Sequence, residues 1–232
     1  MNLVQGDCAE YLKSLEDNSV DLIVADPPYE IGQINGGGTV NTKLKFSEKL
    51  QPLKTANIID GYDIEKLGTE FIRVLKQPNI YIWCNKKQIP KYFDFYVNKL
   101  GCKFDILCWH KTNPVPTYSN KYLTDTEYLL YFHNGKCFPQ NYEDAFTYYL
   151  APINYSDKQK YSHPTIKPLD LTMKIIKNSS IEGEIVLDPF MGSGTTGVAC
   201  KKLNREFIGV EIDENFFTIA KNRIESVTKK LF

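Results

Sequence analysis

Short β-branched runs alternate with helical ones along almost the whole chain, and that alternation restricts the fold more than any other feature. Strand-like segments fall at 2–5, 21–25, 79–84, 104–109, 127–132, 184–187 and 206–210. Helix-like segments fall at 9–15, 64–75, 89–100, 169–179, 195–203 and 214–229. Such a pattern predicts an α/β fold: a seven-stranded, mostly parallel sheet with helices on both faces. A length of 232 residues suits one such domain with a small inserted segment, and 42% hydrophobic residues suffice for its core. Two stretches break the rhythm. Residues 30–61 hold Gly36-Gly37-Gly38 and several lysines and read as a long mobile loop, a length that is usually functional in a compact domain. Residues 134–161, rich in Tyr, Asn and Pro, have no clear period and read as an insertion.

The formal net charge is +0, so no global basic field points to nucleic acid. Between Lys86 and Lys177 there are 13 lysines and no arginine against 8 acids, a local excess of +5 that a solvated surface also explains. The six cysteines, Cys8, Cys84, Cys102, Cys108, Cys137 and Cys200, are scattered without zinc-ligand spacing and are expected as free thiols, several buried, in a reducing compartment. No stretch reaches the roughly 18 apolar residues of a membrane span. No basic-then-apolar leader opens the chain. A soluble, cytoplasmic protein is expected.

Chemistry concentrates in two words. Asp26-Pro27-Pro28-Tyr29 follows the strand 21–25 directly, where open α/β sheets place their ligands. By chance this word occurs in roughly one chain in a thousand of this length. The prolines could simply end the strand. They also remove N–H donors, so that the loop presents acceptors alone. An exocyclic amino nitrogen is a poor nucleophile because its lone pair is delocalised into the ring. The Asp26 carboxylate and a carbonyl such as that of Pro27, aimed at its N–H bonds, would favour a tetrahedral nitrogen. Tyr29 offers a flat face to a base flipped out of the stack.

The second word runs from Asp188 through Pro189, Phe190, Met191, Gly192, Ser193, Gly194, Thr195 and Thr196 to Gly197, after the strand 184–187 and at the start of a helix. Gly192-x-Gly194-x-x-Gly197 satisfies the dinucleotide fingerprint, with Glu211 19 residues beyond Gly192, so a nicotinamide enzyme is a serious rival. Charge separates the readings. A pyrophosphate needs bare N–H groups and no anion beside them. Asp188 would repel it, yet would attract the ammonium of a methionine moiety and tolerate a sulfonium. Glu211 would accept from ribose hydroxyls in either case. S-adenosylmethionine is therefore favoured. No Gly-Lys-Ser/Thr follows the glycines, which excludes a P-loop, and no Pro-Cys pair serves cytosine carbon-5 chemistry.

Together with Gly6-Asp7-Cys8, Trp109-His110-Lys111, Asn113-Pro114, His163-Pro164-Thr165-Ile166-Lys167-Pro168 and Gly209-Val210-Glu211-Ile212-Asp213, these words run in one order. The chain resembles the β-group S-adenosylmethionine-dependent DNA amino methyltransferases of the DPPY type. That resemblance implies a Rossmann-like sheet in circularly permuted order, beginning at what is normally its third strand. It implies a catalytic half (1–133), a target-recognition insertion (134–161) and a cofactor-binding half (162–232). Asp26, Pro27, Pro28 and Tyr29 would be catalytic. Asp7, Cys8, Thr165, Lys167, Asp188, Phe190, Gly192, Ser193, Gly194, Thr195 and Glu211 would line the cofactor, with Thr165 and Lys167 near the methionine carboxylate and Asp7 near adenine. Asp7 also reads as a helix N-cap, Phe190 as core and Lys167 as part of a turn. No metal is expected, because the sulfonium supplies the activation. Double-stranded DNA is the implied partner, in a bacterial or phage setting, with a homodimer and a cognate restriction endonuclease left open. Asp at the first motif position is commoner for N6-adenine and Ser for N4-cytosine, so adenine leads. The rivals are an N4-cytosine enzyme, an oxidoreductase (which leaves 26–29 unexplained) and a non-catalytic DNA-binding module. Lys111, Lys121 and the loop 35–54 are candidate phosphate contacts, and Trp83 and Trp109 are expected in the core.

Overall fold

A computed structural model describes residues 1–30, 62–116, 122–135, 137–161 and 166–227. Apart from Glu30, the expected loop 30–61 lies outside the described residues, as do Lys121 and Thr165. In chain order the elements are β1 (Asn2–Gln5), α1 (Cys8–Ser14), β2 (Leu22–Ala25), α2 (Ile64–Val74), β3 (Asn79–Cys84), α3 (Ile89–Phe93), β4 (Lys103–Lys111), β5 (Thr126–His133), β6 (Tyr148–Ala151), α4 (Tyr155–Lys160), α5 (Leu169–Ser179), β7 (Ile185–Asp188), α6 (Thr195–Lys202), β8 (Glu206–Glu211) and α7 (Glu214–Glu225). The helix expected at 89–100 continues past α3 as a π-helical stretch, Asp94–Lys99.

The strands form one sheet in the order β1-β8-β7-β2-β3-β5-β4-β6. Only β5 runs against its neighbours β3 and β4. All seven expected strands are present, and an eighth, β6, pairs in parallel with β4 from within the insertion. Its pattern escaped a sequence reading because four residues on a sheet edge, between Pro139 and Pro152, are too few to show a period. Lys174 of α5 donates to the carbonyls of Glu143 and Phe146, and the Trp109 indole N–H to that of Ala151, which pins residues 143–151 to α5 and β4.

Alternation along the strands builds two cores. Ile23 and Ala25 of β2 pack with Phe71, Ile82, Tyr92 and Phe132 under α1, α2 and α3. Leu22 and Val24 pack with Trp83, Leu129, Ile175, Val198 and Ile224 under α5, α6 and α7. Both faces of β2 are thus covered, which is why it reads as an unbroken apolar run. Trp83 and Trp109 are buried, as expected. Helix starts are capped by side chains: Asp63 accepts from the Lys66 N–H, and Asp213 from that of Phe216.

The permutation leaves the neighbours of a parallel nucleotide-type sheet intact. From β7 the chain winds outward to β8, whereas from β2 it winds the other way to β3. The topological switch point therefore falls between β7 and β2, the place where open α/β sheets bind ligands.

Candidate active site

The two chemical words meet at this switch point. β2 and β7 run parallel, with Ile23 opposite Leu187, so Asp26 and Asp188 leave the same sheet edge from adjacent strands. β1 and β8 bring Gly6 and Glu211 to that edge as well, where the Gly6 N–H donates to the Glu211 carbonyl at 2.9 Å.

The glycine turn is built from backbone and two acids. The Met191 N–H donates to the Val210 carbonyl at 2.8 Å, and the Gly192 N–H to Glu211 Oε2 at 2.8 Å. The Asp213 N–H donates to Glu211 Oε1, so the Glu211 carboxylate is held rigidly at the strand end. Gly194 caps α6 at φ 78°, a left-handed conformation costly to other residues. Ser193 and Thr195 turn their hydroxyls to the buried Arg223, whose Nη1 also donates to the Ser193 carbonyl. The Arg223 guanidinium stacks on Tyr161, 4.6 Å from its ring centroid. Arg223 was not anticipated; its sequence signal was being one of only three arginines, all of which donate to backbone carbonyls here. Asp7 caps α1 by accepting from the Glu10 N–H, and burial beside Asp7 pushes the Cys8 thiol up to about 12. Phe190 is partly buried, 5.7 Å from the ring of Tyr62.

Asp188 is almost fully buried, and its two oxygens accept from the Phe190 N–H and the Thr196 hydroxyl. Burial, with Asp26 and Glu211 nearby, outweighs those bonds and pushes its carboxyl from 3.8 up to about 7. The folded state then holds this proton more tightly than the unfolded state between about pH 4 and 7, so the group costs stability as pH rises through that window. We expect the Asp188→Asn protein to lack this decline, read as the pH dependence of the urea midpoint. Identical slopes in both proteins would contradict the assignment.

At the other motif, Asp26 Oδ1 lies 3.0 Å from Lys167 Nζ. The same ammonium lies 3.0 Å from Glu127 Oε2 and 3.0 Å from the Tyr29 hydroxyl, and 4.9 Å from the centroid of the Trp83 ring. Lys111 closes the group from behind, 2.7 Å from Glu127 Oε1. Two of the lysines singled out in the sequence have acidic partners here. Lys167, expected near the methionine carboxylate, sits on the acid of the first motif. Lys111, a candidate phosphate contact, is mostly buried against Glu127 and Trp109. Glu127 was missed altogether, although a carboxylate opening the apolar run Tyr128–Phe132 signals a buried pair. Burial lifts Asp26 more than Lys167 lowers it, leaving its carboxyl raised. Burial acts on Glu127 too, but Lys167 and Lys111 overcome it and hold it at about 2.

The carboxylates at this edge fit S-adenosylmethionine rather than a dinucleotide. Asp7, Asp188 and Glu211 crowd the glycine edge, and among the described residues no lysine or arginine is ion-paired with any of the three. A cationic ligand relieves that crowding and a pyrophosphate worsens it. No cluster of His, Cys, Asp or Glu placed to hold a metal ion occurs among the described residues. No helix among them is long and apolar enough to cross a membrane.

Fold and site together define a Rossmann-like, S-adenosylmethionine-dependent methyltransferase. The family model for DNA methylases of the N6/N4 type matches residues 20–222, and the chain belongs to that family of DNA amino methyltransferases. It is 30% identical to the Type II methyltransferase M2.MboI of Moraxella bovis, covering 99% of this chain and 89% of the relative. The structure of the M1.HpyAVI–SAM complex matches with a TM-score of 0.70 at 30% identity, over 96% of this chain and 98% of that one. A cytosine-N4-specific enzyme, the PvuII DNA methyltransferase, shares the fold at a TM-score of 0.73 and 14% identity, over 99% of this chain and 87% of that one.

Proposed function

We propose that this methyltransferase modifies N6 of adenine in double-stranded DNA at a short recognition site, with Asp26-Pro27-Pro28-Tyr29 as its catalytic loop. The observation that carries the reading is the adjacency of that loop to the glycine turn across parallel β2 and β7. S-adenosylmethionine supplies an activated methyl group on a sulfonium. Asp26 and the Pro27 carbonyl accept the two N–H bonds of the target amino group and turn its lone pair toward that methyl. The Tyr29 hydroxyl, pushed well above its ordinary value by burial, stays neutral, so the ring offers an uncharged stacking face to the flipped base. Asp7, Cys8 and Glu211 border the adenosine, Phe190 borders the methyl-transfer site, and Asp188 with the turn Gly192–Thr195 faces the methionine end. The insertion 134–161 reads the target. With all three arginines engaged in internal contacts, phosphate contacts fall to lysines. The setting that fits is a bacterial cytoplasm, with the gene carried by the bacterium or its phage and a cognate restriction endonuclease as a candidate functional partner.

The test is expression in a host lacking DNA methylation, followed by single-molecule sequencing. N6-methyladenine at one short motif is the expected result. N4-methylcytosine at that motif would reassign the base, and an unmodified genome alongside folded protein would overturn the proposal.

A further inference from the structure

Four ionisable side chains, two acids and two bases, meet at the first motif. Lys167 is 9% exposed, Lys111 13%, Glu127 21% and Asp26 24%. The two carboxylates are thus the more open members, with Asp26 on the catalytic loop, and the two lysines are the more buried. When all four are ionised their charges cancel, so no net charge is buried, and every contact is within hydrogen-bond reach: Lys111–Glu127 at 2.7 Å, Glu127–Lys167 at 3.0 Å and Lys167–Asp26 at 3.0 Å. Four segments supply them: the end of β2, the end of β4, the start of β5 and the residue before Pro168.

A desolvated carboxylate without a counter-charge takes up a proton, and a carboxylic acid is a weaker acceptor than its anion. The amino nitrogen gains positive charge as it is methylated, so the acceptor must be anionic at that moment. A lysine alone would secure the anion but would also repel the developing charge. Glu127 shares the ammonium and offsets it. We propose that Lys167 is a positioning residue for methyl transfer, holding Asp26 as an oriented anion, and that Glu127, backed by Lys111, limits how strongly it does so. The role rests on Asp26 being the acceptor for the target amino group.

The groups facing Asp26 are Lys167, Glu127 and Tyr29, with Asp188 on the neighbouring strand, Cys84 beside Lys167, and Lys111 and Lys158 beyond Glu127. Removing each of the two nearest charges must shift the acid limb of the reaction in opposite directions. Single-turnover methylation is followed against pH for the parent, Lys167→Met, Lys167→Arg and Glu127→Gln, with cofactor affinity measured by calorimetry. Lys167→Met moves the limb up by about one pH unit or more, with the lost rate partly regained in alkali and cofactor affinity kept. Lys167→Arg leaves the limb in place, and Glu127→Gln moves it down. An unshifted limb in Lys167→Met overturns the proposal. So does weakened cofactor binding in that variant at an unshifted limb, because it would place Lys167 on the methionine carboxylate. Should Lys167→Met fail to fold, Glu127→Gln decides alone: a limb that stays or rises refutes the role. Asp26→Asn runs in parallel. Parental rates there would sink the reading of Asp26 itself, whereas a slow Asp26→Asn beside an unshifted Lys167→Met sinks only the role of Lys167.

Discussion

Purified Asp26→Ala protein will fold, bind S-adenosylmethionine within about twofold of the parent and transfer methyl groups at least ~10²–10³-fold more slowly, the loss that follows removal of one preorganised transition-state partner. Two observations support this separation. Asp26 lies on the first motif and not on the glycine turn, so the cofactor's own contacts survive. Lys167 keeps Glu127, the Tyr29 hydroxyl and the Trp83 ring when Asp26 is lost, so its charge is not stranded. The stability cost should then be that of one charged hydrogen bond, about 2 kcal/mol. Asp26→Asn keeps the shape and one acceptor but loses the charge, and is expected to fall between the two. Calorimetry and single-turnover assays on the same preparation check both halves. Activity within tenfold of the parent would remove Asp26 from the mechanism.

Gly197→Val is expected to be the most damaging substitution for the fold. Glycine inside a helix costs roughly 1 kcal/mol relative to alanine, so its presence in α6 needs a reason. A Cβ at Gly197 would lie 2.3 Å from Ile224 Cδ1 and 2.7 Å from Phe207 Cε1. Both neighbours are buried, Ile224 on α7 and Phe207 on β8, so a side chain that withdraws must push into other packed atoms. Valine adds two further methyl groups to that contact. We expect a loss of about 3 kcal/mol or more, the upper range for overpacking, and a melting point lower by roughly 6–12 °C. Cofactor affinity should fall as well, since α6 can relieve the clash only by shifting its own start, where Gly194 and Thr195 form the turn. An unchanged melting temperature would show that the α6–α7 contact is looser than it looks.

Much of the site was legible because its chemistry is local. A word such as Asp26-Pro27-Pro28-Tyr29 declares its acceptors by composition, and the glycine word its close approach. Asp188 was read as an anion beside the ligand, and it does sit at the strand tip, although burial makes it far less acidic than its neighbours in sequence suggest. Glu127 and Arg223 were not legible. Each is an ordinary charged residue at an element's end or on a helix face, and what makes each matter is a partner 40 or 30 residues away. β6 was hidden for a related reason: among the described residues its one strand partner is β4, and a single-sided edge strand needs no strong pattern of its own.

By itself, the order of residues determined the alternating α/β class, the permuted sequence of motifs and the two strand-end words, because periodicity and turn chemistry act over a few neighbouring positions. Only the tertiary structure decided which strands adjoin, and therefore that Asp26 and Asp188 share one sheet edge and that Lys167 faces Asp26. Those pairings are settled by burial of both sheet faces and by the cost of leaving a charge alone in the interior, and both are sums over residues far apart in the chain.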